Sequence, residues 1–245
     1  MPRANRYILP GFTYHVTHRC HNQSFLFRFA LDRNAYRKML RERLQSFPIS
    51  LLTYCITSNH THLLLRVQEG REEMLGRFMQ SLEGDFAQYY NLRKKRNGAF
   101  WGDRYHAVMV DSGPYLWSCL KYIDLNMVRA GVAAHPREWD WCGCRELLGL
   151  KKRNRLIDMA ELLRRLGDGV TLEGFRSEYA KTLEEALAVR ELDRDPRWTE
   201  SLAVGGCEFV ERVGRLIPNR MAVVTERPDD SSNTWIVREE RDAWG

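Results

Sequence analysis

The 245-residue sequence contains no apolar segment of about 20 residues and no signal peptide. Its six cysteines show no paired spacings of the kind that mark a disulfide framework. Cys142 and Cys144 are separated by one residue, whereas the cysteines of structural zinc sites are usually about two to four residues apart. We therefore expect a cytoplasmic protein with reduced thiols, not a membrane or a secreted protein.

The net charge of +6 is unevenly distributed along the chain. Residues 1–155 contain 25 Lys or Arg and 13 Asp or Glu, a balance of +12. Residues 156–245 contain 13 and 19, a balance of −6. A basic first part indicates contact with a polyanion such as nucleic acid, and hence association with the nucleoid. The run Arg93-Lys94-Lys95-Arg96 fits contact with phosphate and simple solubilisation equally well.

Two histidines, His60 and His62, stand on either side of Thr61 at the start of an apolar run. In a strand, alternate side chains share a face, so both imidazoles would lie on one side of a sheet and Thr61 on the other. The following residues Leu63, Leu64 and Leu65 predict a strand that is buried on both faces. The pair therefore fits a cation site, although two packed polar residues would produce the same pattern.

A phenol and an amide, Tyr122 and Asn126, are four residues apart in a predicted helix and so share one of its faces. An amide oxygen can complete the coordination shell of a divalent cation. A phenolate is a strong nucleophile. Mg²⁺ or Mn²⁺ would suit this set if phosphate oxygens completed the shell, and imidazole also suits zinc. Tyr115 lies on nearly the same face of the predicted helix, but it is about 16 Å along the helix axis from Asn126. Tyr122 is closer to Asn126 and is therefore the better candidate for the nucleophile.

At this point the chain resembles the REP-associated tyrosine transposases, a group of the single-tyrosine HUH transposase superfamily. Four motifs match in order over residues 8–150, and the order makes the resemblance specific. They are Tyr14-His15-Val16-Thr17 with Arg19, Asn59-His60-Thr61-His62-Leu63, Phe100-Trp101-Gly102-Asp103-Arg104-Tyr105 with Val110-Asp111, and Tyr122-Ile123-Asp124-Leu125-Asn126-Met127-Val128-Arg129-Ala130-Gly131. Met127 stands where relatives usually have Pro, which predicts an uninterrupted helix there.

The resemblance implies the reaction. His60, His62 and Asn126 would hold a divalent metal, and Tyr122 would attack a DNA phosphate to form a 5′-phosphotyrosine. The substrate would be single-stranded or hairpin DNA. Candidate DNA contacts are Arg19, Arg93, Lys94, Lys95, Arg96, Arg104 and Arg129, although Arg19, Arg104 and Arg129 could instead pair with nearby aspartates. A catalytically silent hairpin-binding protein or repressor on the same fold is the alternative, and an RNA-processing or structural-metal protein is a third. Monomer and homodimer are equally open.

The expected fold is α+β: a central antiparallel sheet of the HUH nuclease type, with a ferredoxin- or RRM-like core, and helices packed over it. The alternation of apolar residues predicts strands at 12–20, 49–57, from 60 and at 105–111. Helices are predicted at 31–47, at 71–92 and from 114. Residues 1–150 would form the HUH domain. Residues 151–227 would form a helical extension with helices at 157–166, 171–189 and 206–216, and residues 228–245 a poorly ordered tail.

Overall fold

A computed structural model describes residues 7–9, 11–190, 192–217, 223–226 and 233–239. The first part of the chain forms strands and long helices in the predicted order. These elements are β1 (Thr13–Arg19), α1 (Ala30–Ser46), β2 (Ile49–Ile56), β3 (His60–Val67), α2 (Glu73–Lys94), β4 (His106–Val110), α3 (Pro114–Asp124) and α4 (Asn126–Arg129). Within these residues, no helix is long and apolar enough to cross a membrane.

The four strands of this part are arranged in the order β2-β3-β1-β4, and each neighbouring pair is antiparallel. This is the ferredoxin-like order that we expected for a strand-helix-strand-strand-helix-strand chain. The central strands β1 and β3 are almost entirely buried, since helices cover the sheet on both sides. The α+β class with an antiparallel core is thus confirmed.

The pairing of β1 with β3 determines which side chains share a face. Thr17 lies opposite His62 and Arg19 opposite His60, so odd-numbered residues of β1 lie on the histidine face. His15 belongs to that face, whereas His18 belongs to the other. The other face packs on α1 and α2 through an aromatic cluster that joins Phe27, Tyr36, Phe86, Phe100 and Trp101.

Helix α3 packs on the histidine face, with Pro114 in its first turn. The expectation of an uninterrupted helix through Met127 was wrong in one detail, because α3 ends at Asp124 and α4 begins at Asn126. The chain keeps its helical path, since Leu125 has φ −72° and ψ −2° and its N–H still donates to the carbonyl of Lys121. Asn126 therefore stays close to the face of Tyr122.

The second part of the chain contains the three predicted helices but is not only helical. It forms α5 (Cys144–Leu147), α6 (Met159–Leu166), α7 (Leu172–Ala188), α8 (Arg197–Glu200), β5 (Ala203–Gly205), α9 (Cys207–Leu216), β6 (Val223–Glu226) and β7 (Trp235–Glu239). Strand β5 pairs with β4 in parallel, and β7 and β6 follow, which extends the described sheet to seven strands. The reason is the open edge of β4, whose unpaired N–H and C=O groups need partners.

The expectation of a poorly ordered tail from residue 228 was wrong for β7. Ile236 and Val237 pair with β5, and their apolar side chains are buried in the core. The polar residues around them in the sequence gave no indication of this burial. Residues 228–232 and 240–245 of the predicted tail lie outside the described residues.

Candidate active site

The histidine face of the sheet and the start of α4 bring the predicted residues together. The amide nitrogen of Asn126 lies 2.9 Å from His62 Nε2. The ring of Tyr122 stands edge-on to that of His62, with 6.1 Å between their centres. The ring of His60 lies 4.8 Å from that of His62, centre to centre. Two elements about sixty residues apart in the chain thus meet at one point.

A third histidine, His15 of β1, lies behind His62. Its Nε2 is 2.9 Å from His62 Nδ1, and its Nδ1 is 2.8 Å from the carbonyl oxygen of Trp198. Both of its ring nitrogens are therefore engaged within the protein. The sequence carried no signal for the contact with Trp198, which is 183 residues away.

Burial keeps these imidazoles neutral. Loss of solvent lowers the pKa of His15 and of His60 to about 3, and the charge of Arg19 lowers that of His60 further. The pKa of His62 also falls well below its ordinary value, through burial first and then through the neighbouring histidines and arginines. A neutral imidazole has one bare nitrogen, which is the form that binds a metal.

Two residues just before β3, Thr57 and Asn59, orient the ring of His60. Its Nδ1 lies 2.7 Å from Asn59 Oδ1 and 3.0 Å from Thr57 Oγ1. Since an amide oxygen only accepts, Nδ1 carries the proton and Nε2 is the bare nitrogen. Both members of the pair can thus present an Nε2 lone pair.

Tyr122 is buried, with 7% of its surface exposed. The indole of Trp198 packs against it at 6.1 Å between ring centres, and Arg129 covers it with its guanidinium carbon 4.4 Å from the ring centre. Burial raises the pKa of the phenol, while the charges of Arg129 and Arg194 lower it in part. A cavity of about 420 Å³ lies beside these residues.

Arg129 donates through Nη2 to the carbonyl of Tyr122 at 3.2 Å. Its Nε and Nη1 are buried and have no hydrogen-bond partner among the described residues. Asp124, one of the suggested partners for an arginine, instead accepts from Tyr179 at 2.8 Å and from Thr53 at 3.3 Å. The guanidinium next to the phenol therefore retains free donors for an anion.

The other predicted DNA contacts fall into two groups. Arg93 forms an ion pair with the buried carboxylate of Asp32, and Arg96 donates to Asn91 and Ala99 at the end of α2. Four further candidates are exposed, and of these Arg19 lies opposite His60 in the sheet. They are Arg19, Lys94, Lys95 and Arg104.

Sequence reasoning missed Trp198, which contacts the site twice, through its carbonyl and through its ring. It lies between the helices that the sequence predicted at 171–189 and 206–216, in a stretch for which no element was predicted. Within the described residues, no group of three or more His, Cys, Asp or Glu side chains could hold a metal. The predicted set consists of two histidines and an amide, so it differs from such a group in kind.

Comparison with known proteins agrees with this arrangement. The family model described as "Transposase IS200 like" matches residues 9–126. A protein of Haemophilus influenzae named "Putative REP-associated tyrosine transposase" is 23% identical over 116 residues, which is 44% of this chain and 66% of that protein. The match thus spans slightly less than two thirds of the relative.

A solved structure described as a REP-associated tyrosine transposase bound to a REP hairpin superposes with a TM-score of 0.54 at 16% identity. The superposition covers 64% of this chain and 93% of that one, and at this identity it concerns the fold. The residues that match the family model include His60, His62, Tyr122 and Asn126, so this part of the chain is similar to the IS200-like transposases.

Proposed function

We propose that this protein is a metal-dependent single-stranded DNA endonuclease and strand transferase that cleaves near hairpin-forming repeats through a 5′-phosphotyrosine. The observation that carries the proposal is the meeting of His62, Asn126 and Tyr122 on one face of the sheet. The family match and the hairpin bound to the structural relative support the same substrate. Such a protein would work in the cytoplasm, at the nucleoid.

The residues present fit a divalent metal. His60 and His62 are neutral, and each has a bare Nε2 on the same face. Asn126 points its amide at His62 Nε2, and a half-turn about its Cβ–Cγ bond presents the oxygen in place of the nitrogen. Mg²⁺ or Mn²⁺, held by His60, His62 and Asn126, would polarise a non-bridging phosphate oxygen and offset charge in the transition state.

Tyr122 is the nucleophile in this proposal. Its phenolic oxygen forms a bond to phosphorus while the bond from phosphorus to the 3′ oxygen breaks, which leaves a 5′-phosphotyrosine and a 3′-hydroxyl. The phenol loses one proton and the 3′ oxygen gains one, so no proton is consumed. Because the phosphodiester energy is retained, a 3′-hydroxyl can reverse the step and join a different end.

Arg129 supports this step from the adjoining turn. Its positive charge acts against the rise in the pKa of Tyr122 that burial causes, and so favours the phenolate. Its unpartnered Nε and Nη1 are donors for the phosphate that Tyr122 would attack. Arg19, Lys94, Lys95 and Arg104 would hold the strand by phosphate contacts, whereas Arg93 and Arg96 are occupied within the fold.

The test uses a hairpin oligonucleotide labelled at its 3′ end, incubated with Mg²⁺ or Mn²⁺ and separated under denaturing conditions. The wild-type protein should retain the label covalently, and Tyr122→Phe should bind the hairpin without retaining it. Tyr115→Phe is the matched control on the same helix, because its hydroxyl lies 3.3 Å from the carbonyl of Asn233. It should form the adduct normally.

An adduct formed by Tyr122→Phe would show that another residue is the nucleophile. Hairpin binding without any adduct in the wild type would favour the catalytically silent DNA-binding protein. Equal cleavage of RNA and DNA would favour an RNA-processing role.

A further inference from the structure

Three consecutive hydrogen bonds connect the second part of the chain to the proposed metal ligands. The carbonyl of Trp198 lies 2.8 Å from His15 Nδ1, and His15 Nε2 lies 2.9 Å from His62 Nδ1. The third contact joins His62 Nε2 to the amide nitrogen of Asn126 at 2.9 Å. The direction of every bond in this series follows from its first member.

A carbonyl oxygen can only accept, so His15 Nδ1 must carry a proton. In a neutral ring the other nitrogen, Nε2, is then bare and must accept from His62 Nδ1–H. His62 is left with a bare Nε2, which accepts from the Asn126 amide. The tautomer of His62 is thus determined by a main-chain group of Trp198, two rings away.

We infer that His15 is a positioning residue that holds His62 in the tautomer able to bind a cation, and that the Trp198 carbonyl orients His15 for this task. The inference deepens the proposed function and rests on it for its consequence in metal binding. Without His15, the proton of His62 could move to Nε2, and that nitrogen could no longer donate its lone pair. Partners of this kind typically change metal affinity about 10- to 100-fold.

His15 cannot serve as a third metal ligand in this arrangement. Its Nδ1 is engaged by Trp198 and its Nε2 by His62, so it has no lone pair left. The two rings are nearly parallel, with 14° between their planes and 5.1 Å between their centres, and they meet edge to edge through the hydrogen bond. Its place is behind the ligand, where it restricts both the proton and the orientation of the ring.

Trp198 also holds the nucleophile, since its indole packs on the ring of Tyr122. One residue of the second part of the chain therefore contacts both halves of the proposed reaction, the ligand side and the tyrosine side. The family model matches only residues 9–126, and Trp198 lies outside that range. The segment around α8 is accordingly a component of the site and not only a cover.

The experiment begins with the metal-free wild-type protein. Imidazole ¹⁵N chemical shifts separate a protonated from a bare nitrogen, so they identify the tautomer of His62 directly. We expect a proton on Nδ1 and none on Nε2. A proton on His62 Nε2 in the wild type would overturn the inference, whatever the variants do.

Three variants then test the role of His15. His15→Phe keeps the ring but removes both nitrogens, whereas His15→Gln can still donate to the Trp198 carbonyl and accept from His62. His106→Phe is the control, because His106 Nε2 lies 3.0 Å from the carbonyl of Ser201 in the same segment. It loses a similar contact to a main-chain carbonyl, and His106 forms none of the three hydrogen bonds in the series that leads to His62.

The second measurement is Mn²⁺ binding without DNA, followed by the electron paramagnetic resonance signal of free Mn²⁺. His15→Phe should weaken binding about 10- to 100-fold and should move the His62 proton toward Nε2. His15→Gln should restore most of the affinity, and His106→Phe should retain it. Wild-type affinity and tautomer in His15→Phe would contradict the inference.

The two proposals fail separately. If the wild type binds no Mn²⁺ and forms no DNA adduct, the proposed function is wrong, and the tautomer measurements still decide whether His15 directs His62. If the wild type forms the adduct but His15→Phe leaves tautomer and affinity unchanged, only the inference about His15 is wrong.

Discussion

The guanidinium of Arg129 lies over the ring of Tyr122, with 4.4 Å from its central carbon to the ring centre. Two of its nitrogens are buried and lack a hydrogen-bond partner in the part of the chain that the structure describes, which is costly unless an anion binds them. We therefore expect Arg129→Gln to slow adduct formation about 100-fold, the size of effect seen when a transition-state donor is removed. Single-turnover cleavage of a labelled hairpin measures this rate.

The matched control for Arg129 is Arg145→Gln, since Arg145 pairs with Asp140 on the surface. Its cleavage rate should equal that of the wild type. Equal rates for both variants would show that Arg129 only packs on Tyr122.

A buried carboxyl beside the site should make stability depend on pH. Burial raises the pKa of Asp124 from 3.8 to about 7, although hydrogen bonds from Tyr179 and Thr53 oppose the rise. Between these two values the folded protein holds a proton that the unfolded chain has lost. The free energy of unfolding should therefore fall as pH rises from about 4 to about 7, by at most ~1.4 kcal/mol per unit, and the contribution should be flat above that range.

Asp124→Asn removes this titration. The free energy of unfolding, measured with urea, should be compared between the variant and the wild type at pH 5 and at pH 8. From pH 5 to pH 8, the difference should shift in favour of the variant by roughly 2 kcal/mol or more. Asp168→Asn, at an exposed turn, serves as the control and should follow the wild type. An Asp124→Asn variant with the wild-type pH dependence would contradict the assignment.

Neighbouring residues at the end of α2 should have different roles. Arg93 pairs with the fully buried carboxylate of Asp32, so Arg93→Ala should cost about 3–5 kcal/mol of stability by leaving that carboxylate unpaired. Lys94 is exposed and lies 4.5 Å from the ring of Phe29. Lys94→Ala should leave stability within about 0.5 kcal/mol of the wild type but weaken hairpin binding and reduce its salt dependence.

Thermal unfolding and hairpin titration at two salt concentrations separate these effects. If Arg93→Ala weakens hairpin binding without loss of stability, Arg93 acts in DNA binding and its ion pair with Asp32 does not stabilise the fold. If Lys94→Ala binds DNA as the wild type does, the end of α2 lies outside the DNA contact.

Gly205 of β5 should be required for docking of the second part of the chain. A Cβ at this position would lie 2.5 Å from a ring carbon of Phe209 and 2.6 Å from Asp111 Cβ, which is closer than carbon atoms approach. Gly205→Ala should therefore destabilise this region by about 1–3 kcal/mol. Hydrogen exchange of β5 and β7 should increase, whereas exchange in β3 should change less.

Gly214→Ala in α9 is the control, because its Cβ would meet only Thr225 Oγ1 at 3.9 Å. If hydrogen exchange of β5 and β7 is unchanged in Gly205→Ala, β5 accommodates the added methyl group without loss of stability.

Most of the first 130 residues could be predicted from the sequence for a physical reason. Strands such as β3 and helices such as α2 are long enough to show their period, and alternation alone puts His60 and His62 on one face. Strand β5 has three residues, which are too few for a period to be visible, and β7 follows a polar segment that predicted a poorly ordered tail. Their strand form depends on pairing with β4 and with each other, which no local pattern reports.

The sequence by itself determined the chemical groups of the site and their local faces, because period and spacing are properties of neighbouring residues. It indicated the histidine pair and the basic character of the first 155 residues, and it favoured Tyr122 over Tyr115 as the nucleophile. Only the tertiary structure decided that Trp198 meets both His15 and Tyr122, and that Arg93 and Arg96 are occupied within the fold. The Trp198 contacts join residues far apart in the chain, and they exist because packing of the second part against the open edge of β4 brings them together. Arg93 meets Asp32 because α2 packs on α1.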